Sequence, residues 1–268
     1  MIQKTPLNNK LILIKAEQLQ QQVRCIEAVL EAGGNPILIG TDISKLTEGV
    51  ERINEQCSMK IFIQSFDPNN EQTIIQLKES IFSKYSTYPD ILINDSGIEL
   101  FHDNKHYNEN IKLDEKMIDK WDTIIQKELN SVLLLNKIFG HQMAQDNGGV
   151  ILNILSDIHL NPKRKIVDPK IEVNNVASIT VANGLLGLTK YIATYWNEKN
   201  IRCNSLTIGR YEESIFDGTD RATILNQIPI GRFANNEDLK KAILFLISDA
   251  SSYMTGSNLV VNGGRTCW

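Results

Sequence analysis

Several residues in this 268-residue chain have types and spacings that could do chemistry. Ser156 follows an apolar run at 150–154, His159 stands three residues later, and Glu128 lies upstream. A hydroxyl, a carboxylate and an imidazole that titrates near neutrality could form an acid–base set if the fold brings them together. Lys163-Arg164-Lys165 then makes a basic loop, suited to a sugar phosphate or an acidic partner, or to water. Tyr195 and Lys199 stand one helical turn apart, where a lysine can stabilise a phenolate. Cys25, Cys57, Cys203 and Cys267 form no CxxC pair, so neither a metal nor a disulfide is expected. Residues 1–32 contain no glycine. A dinucleotide's pyrophosphate needs glycine after a first strand, because only a residue without Cβ lets the backbone turn tightly and approach it.

The elements that must position these groups are legible as periodicity. Short β-rich apolar runs recur at 11–14, 36–39, 60–66, 91–94, 150–154, 201–206 and 259–262, with helical patterns between them. Leu19, Val23, Ile26 and Leu30 step by four, three and four, which places one apolar stripe on a helix ending at Gly33-Gly34. Longer helical patterns cover 114–145, 176–199 and 237–248, the last opened by Asn235-Asn236 as a cap. Strands alternating with helices require a parallel sheet with right-handed crossovers. The expected fold is therefore α/β: one Rossmann-type domain over residues 1–268, a doubly wound parallel sheet of about seven strands flanked by helices.

Composition excludes other classes. With 42% hydrophobic and 22% charged residues the chain can build a core, and a net charge of −4 with interspersed signs offers no footprint for nucleic acid. The apolar run at 11–14 is too short for a signal peptide, and no stretch approaches the roughly 20 residues of a membrane span. A cytoplasmic protein without membrane partners is expected.

Four segments resemble the short-chain dehydrogenase/reductase family and together span nearly the whole chain. Ile91-Leu92-Ile93-Asn94-Asp95-Ser96-Gly97 is similar to that family's fourth strand and Asn-Asn-Ala-Gly turn, followed by its helix at 121–132. The run 150–156 resembles the strand that ends in the catalytic serine. Gly184-Leu185-Leu186-Gly187-Leu188-Thr189-Lys190 resembles the helix carrying Tyr-x-x-x-Lys, and Ile201-Arg202-Cys203-Asn204 the next strand. Pro229-Ile230-Gly231-Arg232, Thr255-Gly256 and Asn262-Gly263-Gly264 match the C-terminal signature. The long interval from Ser156 to Ser178, with Ala193-Thr194-Tyr195-Trp196 and Arg265-Thr266-Cys267-Trp268, is similar to the bacterial branch found with flagellin-modifying and legionaminic-type nonulosonic acid synthesis.

The resemblance also marks departures. Ala16, Gln20 and Gln22 fall on the family's three glycine positions. Ser156 keeps the catalytic serine position as a remnant, whereas the tyrosine, lysine and asparagine positions are occupied by Ser178, Ala182 and Glu128. Ser178 is a far weaker acid than a phenol and has no cation one turn along its helix. The Tyr195 motif does not substitute, because on a helix it lies about 25 Å and about 100° from Ser178. Weak cofactor candidates are Lys15 as a point charge on phosphate or a solvated lysine, Asp42 near the ribose, Asp67 near the adenine, and Asn94 and Gly97 as sheet-supporting turn residues.

From these losses the expectation is no cofactor, and a noncatalytic subunit or pseudoenzyme that forms a homo- or hetero-oligomer with a partner of the same fold, in surface-glycan sugar synthesis. The patterns at 114–145 and 176–199 are where the family commonly pairs across two-fold axes. The alternative is a divergent oxidoreductase using NAD or NADP on a sugar or nucleotide sugar; a metabolite sensor is a third reading.

Overall fold

The computed structural model describes residues 7–16, 19–44, 46–47, 50–51, 53, 61–95, 117–157, 160, 176–211 and 221–267. Seven strands form one sheet: β1 (Leu11–Lys15), β2 (Asn35–Gly40), β3 (Phe62–Ser65), β4 (Ile91–Asp95), β5 (Gly149–Ser156), β6 (Ile201–Ile208) and β7 (Asn258–Val261). Their order is β3-β2-β1-β4-β5-β6-β7 and each pairing is parallel. After β3 the chain returns to the middle of the sheet, so the winding direction reverses between β1 and β4. In an open α/β sheet such a reversal leaves a crevice at the carboxyl ends of the two strands.

Between the strands run α1 (Leu19–Glu31), α2 (Glu71–Tyr85), α3 (Met117–Ile124), α4 (Ser131–Leu135), α5 (His141–Gln145), α6 (Val176–Tyr195), α7 (Arg221–Leu225) and α8 (Asn236–Ile247). The helices α3, α4 and α5 are one continuous rod, because the π-helical turns Ile125–Asn130 and Asn136–Gly140 that join them keep right-handed helical dihedrals at every junction. Gly33 ends the first helix at φ +81°, a left-handed conformation that glycine adopts without strain. At α8, Asn235 Oδ1 accepts from Asp238 N (3.0 Å) and Asp238 Oδ2 accepts from Asn235 N (2.9 Å), a reciprocal capping box.

Alternation along the strands divides the core in two. Ile12, Ile14, Ile91, Ile93, Leu152 and Ile154 pack with Ile26 and Val29 of α1 and Leu239 and Ile243 of α8. Leu11, Leu13, Leu92 and Ile151 face the opposite layer, with Ile74 and Leu77 of α2, Leu135 and Phe139 of the rod and Ile192 of α6. Ala177, Val181 and Leu185 of α6 pack on Ile124 and Val132 of the rod and on Leu155. By length and apolar composition α6 could cross a membrane, a possibility missed in the sequence pattern, but this buried stripe makes it a core helix.

Candidate active site at the strand reversal

Lys15 closes β1 at the reversal. It continues the face of Leu11 and Leu13, so its side chain enters the layer beneath the rod instead of the solvent, and it is 0% exposed. Nζ donates to Glu128 Oε2 at 3.2 Å; Glu128 is 1% exposed. Both expectations for Lys15 are corrected here: it is neither a solvated lysine nor a free point charge for phosphate, because alternation turns it inward. Glu128 sits in the π-turn and shares a stripe with Ile124, Val132 and Leu135, spaced four, four and three residues apart.

The same layer contains Ser178. It lies on the buried stripe of α6 with Ala177, Val181, Ala182 and Leu185, and its Oγ, at 0% exposure, has no hydrogen-bond partner among the described residues. A buried hydroxyl left unpaired is unfavourable by about 1–3 kcal/mol, which ordinarily selects against such a group. Ala182 is fully buried and carries no charge. Ser156 is buried at the end of β5, level with Ile208 of β6.

A row of polar residues crosses the sheet at the level of Lys15, since Lys15 is in register with Asn94, Asn94 with Asn153 and Asn153 with Ser205. Asn94 Nδ2 donates to Asn153 Oδ1 (2.9 Å) and Asn136 Oδ1 (3.2 Å), and Asn153 Nδ2 donates to Thr189 Oγ1 (2.8 Å). These bonds tie two strands to the rod and to α6, and they commit Asn94 to holding the layers together.

Three relationships at the strand ends escaped the sequence pattern. Asp157, next to Ser156 and 1% exposed, accepts from Arg265 Nη1 at 2.9 Å, and Arg265 Nη2 also donates to Gln227 (3.3 Å). Burial pushes the Asp157 carboxyl up, against the opposing pull of Arg265 and Arg210. Arg24 of α1 lies 4.0 Å over the Tyr211 ring just beyond β6, with Nε donating to Asn236 Oδ1 (2.6 Å). Asp95, buried at the end of β4, raises the Cys25 thiol further after burial has done most of that work. No local motif signals contacts between positions so far apart in the chain.

Asp42 and Asp67 are exposed at the ends of β2 and β3. Asp42 Oδ1 accepts from Ser44 N (3.0 Å), and Asp67 Oδ1 from Asn69 N (2.9 Å). A Cβ at Gly40 would strike the Ala16 carbonyl oxygen, so β2 ends hard against β1, with Asp42 two residues beyond. Gly97, His159, Lys163, Arg164 and Lys165 lie outside the described residues, as do the side chains of Gln20 and Gln22. Tyr195 is 63% exposed and stacks on Tyr191 with centroids 5.6 Å apart. Among the described residues no group of three His, Cys, Asp or Glu could hold a metal.

A seven-stranded parallel sheet reversing at β1 and β4, with Ser156 at the end of β5, is the frame on which comparison with known proteins bears. A family described as enoyl-(acyl carrier protein) reductase matches residues 24–266. The chain belongs to the short-chain dehydrogenase/reductase family. This family member is 30% identical over 230 residues to the 3-oxoacyl-(acyl-carrier-protein) reductase of Buchnera aphidicola, covering 85% of this chain and 86% of that one. It is 24% identical to the NAD-dependent glycerol dehydrogenase of Listeria innocua, covering 90% and 87%. The crystal structure of a gluconate 5-dehydrogenase from Burkholderia cenocepacia, in complex with NADP and tartrate, superposes with TM-score 0.76 at 20% identity over 99% of this chain and 98% of that one.

These findings overturn the expectation of no cofactor: the family includes a member named as NAD-dependent and one solved with NADP. The expectation rested on the glycine-free segment after the first strand and on the replaced tyrosine, lysine and asparagine positions. Gly40 approaches β1 closely, and Asp42 and Asp67 stand exposed at the ends of β2 and β3.

Proposed function

We propose that this family member is a divergent NAD(P)-dependent oxidoreductase that interconverts an alcohol and a carbonyl on a small polyhydroxylated substrate of the sugar class. The observation that carries the reading is the exposed Asp42 carboxylate at the carboxyl end of β2, beside a strand reversal where the fold accommodates a dinucleotide. Asp42 would hold ribose hydroxyls and Asp67 would lie toward the adenine. When bound, the dinucleotide supplies or accepts the hydride. The sugar class is supported by relatives named 2-dehydro-3-deoxy-D-gluconate 5-dehydrogenase, NAD-dependent glycerol dehydrogenase and D-threitol dehydrogenase, at 26%, 24% and 26% identity. The resemblance to the surface-sugar branch supports it further. That relatives are named as dehydrogenases and reductases favours this reading over a noncatalytic subunit.

The reading includes self-association or pairing with a relative through the rod and α6, whose outer faces expose Leu133, Tyr191 and Tyr195. Light scattering behind a sizing column tests the assembly. Calorimetric titration with NADH and NADPH to about 1 mM, where binding near −4 kcal/mol still registers, tests the activity. Micromolar binding of either is expected; silence with both would sink the oxidoreductase reading.

A further inference from the structure

We propose that the tail segment 262–267 walls a substrate subsite at the carboxyl ends of β6 and β7, and that Arg265, fastened to Asp157, is the positioning residue of that wall. The inference rests on the oxidoreductase reading and deepens it by placing the polyhydroxylated end of the substrate.

β6 lies between β5 and β7 in the sheet, so Arg265, which follows β7, reaches Asp157, which follows β5, only by crossing the end of β6. The crossing is close: Gly209 N donates to Val261 O at 2.9 Å, and a Cβ at Gly209 would meet Asn262 Cα at 2.7 Å. Gly263 and Gly264, at φ +63° and +85°, turn the tail there in a left-handed conformation that suits glycine. Three bonds then fasten it. Ile230 N donates to Gly263 O (3.1 Å), Arg265 Nη1 to Asp157 Oδ1 (2.9 Å) and Arg265 Nη2 to Gln227 Oε1 (3.3 Å). One guanidinium therefore ties the end of β5, the segment after α7 and the tail together.

A cavity of 130 Å³ lies beside this crossing, walled by Gly209 and Arg210 after β6, by Asn262 and Gly263 of the tail, and by Arg232 and Asp238, which pair with each other at 2.6 Å. A single water needs roughly 10–15 Å³, so the space admits a larger guest. Guanidinium, amide and backbone groups offer both donors and acceptors, the chemistry that recognises neighbouring hydroxyls. The cavity stands at the carboxyl ends of the strands, where open α/β folds bind ligands, and on the opposite half of the sheet from Asp42 at β2. A dinucleotide held at β2 therefore leaves this end to the substrate. Because Asn262 and Gly263 belong to the tail, the shape of the cavity depends on where Arg265 holds it.

The test uses the full chain with Gln227→Ala, Arg265→Lys and the charge-neutral double variant Asp157→Leu/Arg265→Met, followed by NADH oxidation with dihydroxyacetone and erythrulose. Gln227 is half-buried, so Gln227→Ala should keep its Tm within about 3 °C of wild type while kcat/KM for the ketose falls about tenfold, mainly through KM. The double variant leaves no buried charge alone and should fold. It should bind NADH as wild type does and lose about 100-fold in kcat/KM, the effect of a misplacement near 1 Å. Arg265→Lys keeps the charge without the fork and should fall between the two. Wild-type kcat/KM in Gln227→Ala or in the folded double variant overturns the proposal. So does NADH affinity that falls in step with kcat/KM, which marks general damage to the fold. A wild-type chain that binds NADH but reduces neither ketose overturns the subsite and leaves the oxidoreductase reading standing. One that binds neither NADH nor NADPH removes that reading, and this proposal falls with it.

Discussion

Lys15 and Glu128, 113 residues apart in sequence, meet at 3.2 Å with both side chains sealed from solvent. The contact spans the end of a central strand and the π-turn of the rod, so the two layers share one charge balance. Desolvating two ions is expensive, and the pair is maintained because each partner neutralises the other.

Removing one partner strands a buried charge. Lys15→Met alone and Glu128→Leu alone should each destabilise the fold by about 3–5 kcal/mol, whereas Lys15→Met/Glu128→Leu should return to within about 1 kcal/mol of wild type or exceed it. Urea unfolding of the three variants gives the cycle. Additive losses in the double variant would show that the two side chains act independently.

Asp42 should set cofactor preference. A carboxylate at the carboxyl end of β2 accepts ribose hydroxyls and repels a 2′-phosphate, so NADH should bind at least about tenfold more tightly than NADPH. Asp42→Ala should narrow that ratio by weakening NADH. Paired titrations on both proteins decide the matter, and tighter NADPH binding by wild type would count against Asp42 as the selecting group.

Asp157 should make stability depend on acidity in the direction opposite to an ordinary ion-paired carboxylate. Burial, its largest influence, pushes its pKa above the usual value near 3.9, and Arg265 offsets this only in part. Its contribution is therefore complete below that value and declines as pH rises through the folded-state pKa. Melting temperatures of wild type and Asp157→Asn from pH 3.5 to 8 should show the variant gaining relative to wild type as pH rises, then levelling off. A relative loss over the same window would reverse the assignment.

Tyr195 should be dispensable for chemistry. It is exposed and stacked on Tyr191, so Tyr195→Ala should shift stability by less than about 0.5 kcal/mol and leave dinucleotide binding unchanged. A drop in NADH affinity, measured by the same titration, would bring the Tyr195–Lys199 pair back as a functional motif.

Much of the fold was legible because it depends on short-range regularities. The apolar runs at 11–14, 36–39, 91–94 and 201–206 became β1, β2, β4 and β6, each extended by one or two residues, since a strand buried on both faces advertises itself as a continuous apolar run. The Asn235 cap and the glycines after α1 were readable for the same reason: a helix end solves its unpaired backbone groups with its nearest neighbours. The family was legible too, because its turns and C-terminal signature are local words.

The site was legible only as a list of departures. The missing glycines of residues 1–32 argued against a cofactor, yet that evidence concerned a single turn and was silent on Asp42 and Gly40 at the neighbouring strand ends. Similarly, Lys15 at the edge of a turn reads as a surface lysine until strand alternation and the rod above it enclose the side chain. Ser178 lacked a cation along its own helix, and only the packing of α6 on the rod decides that its hydroxyl is buried without a hydrogen-bond partner among the described residues. Asp157 and Arg265 are 108 residues apart and become partners only where β5 and the C-terminal tail converge. The sequence by itself determined the elements, their order and the family, because backbone hydrogen bonding and hydrophobic periodicity act over a few residues. The tertiary structure alone decided which charges are buried and which side chains neutralise them, because desolvation depends on everything that packs around a group.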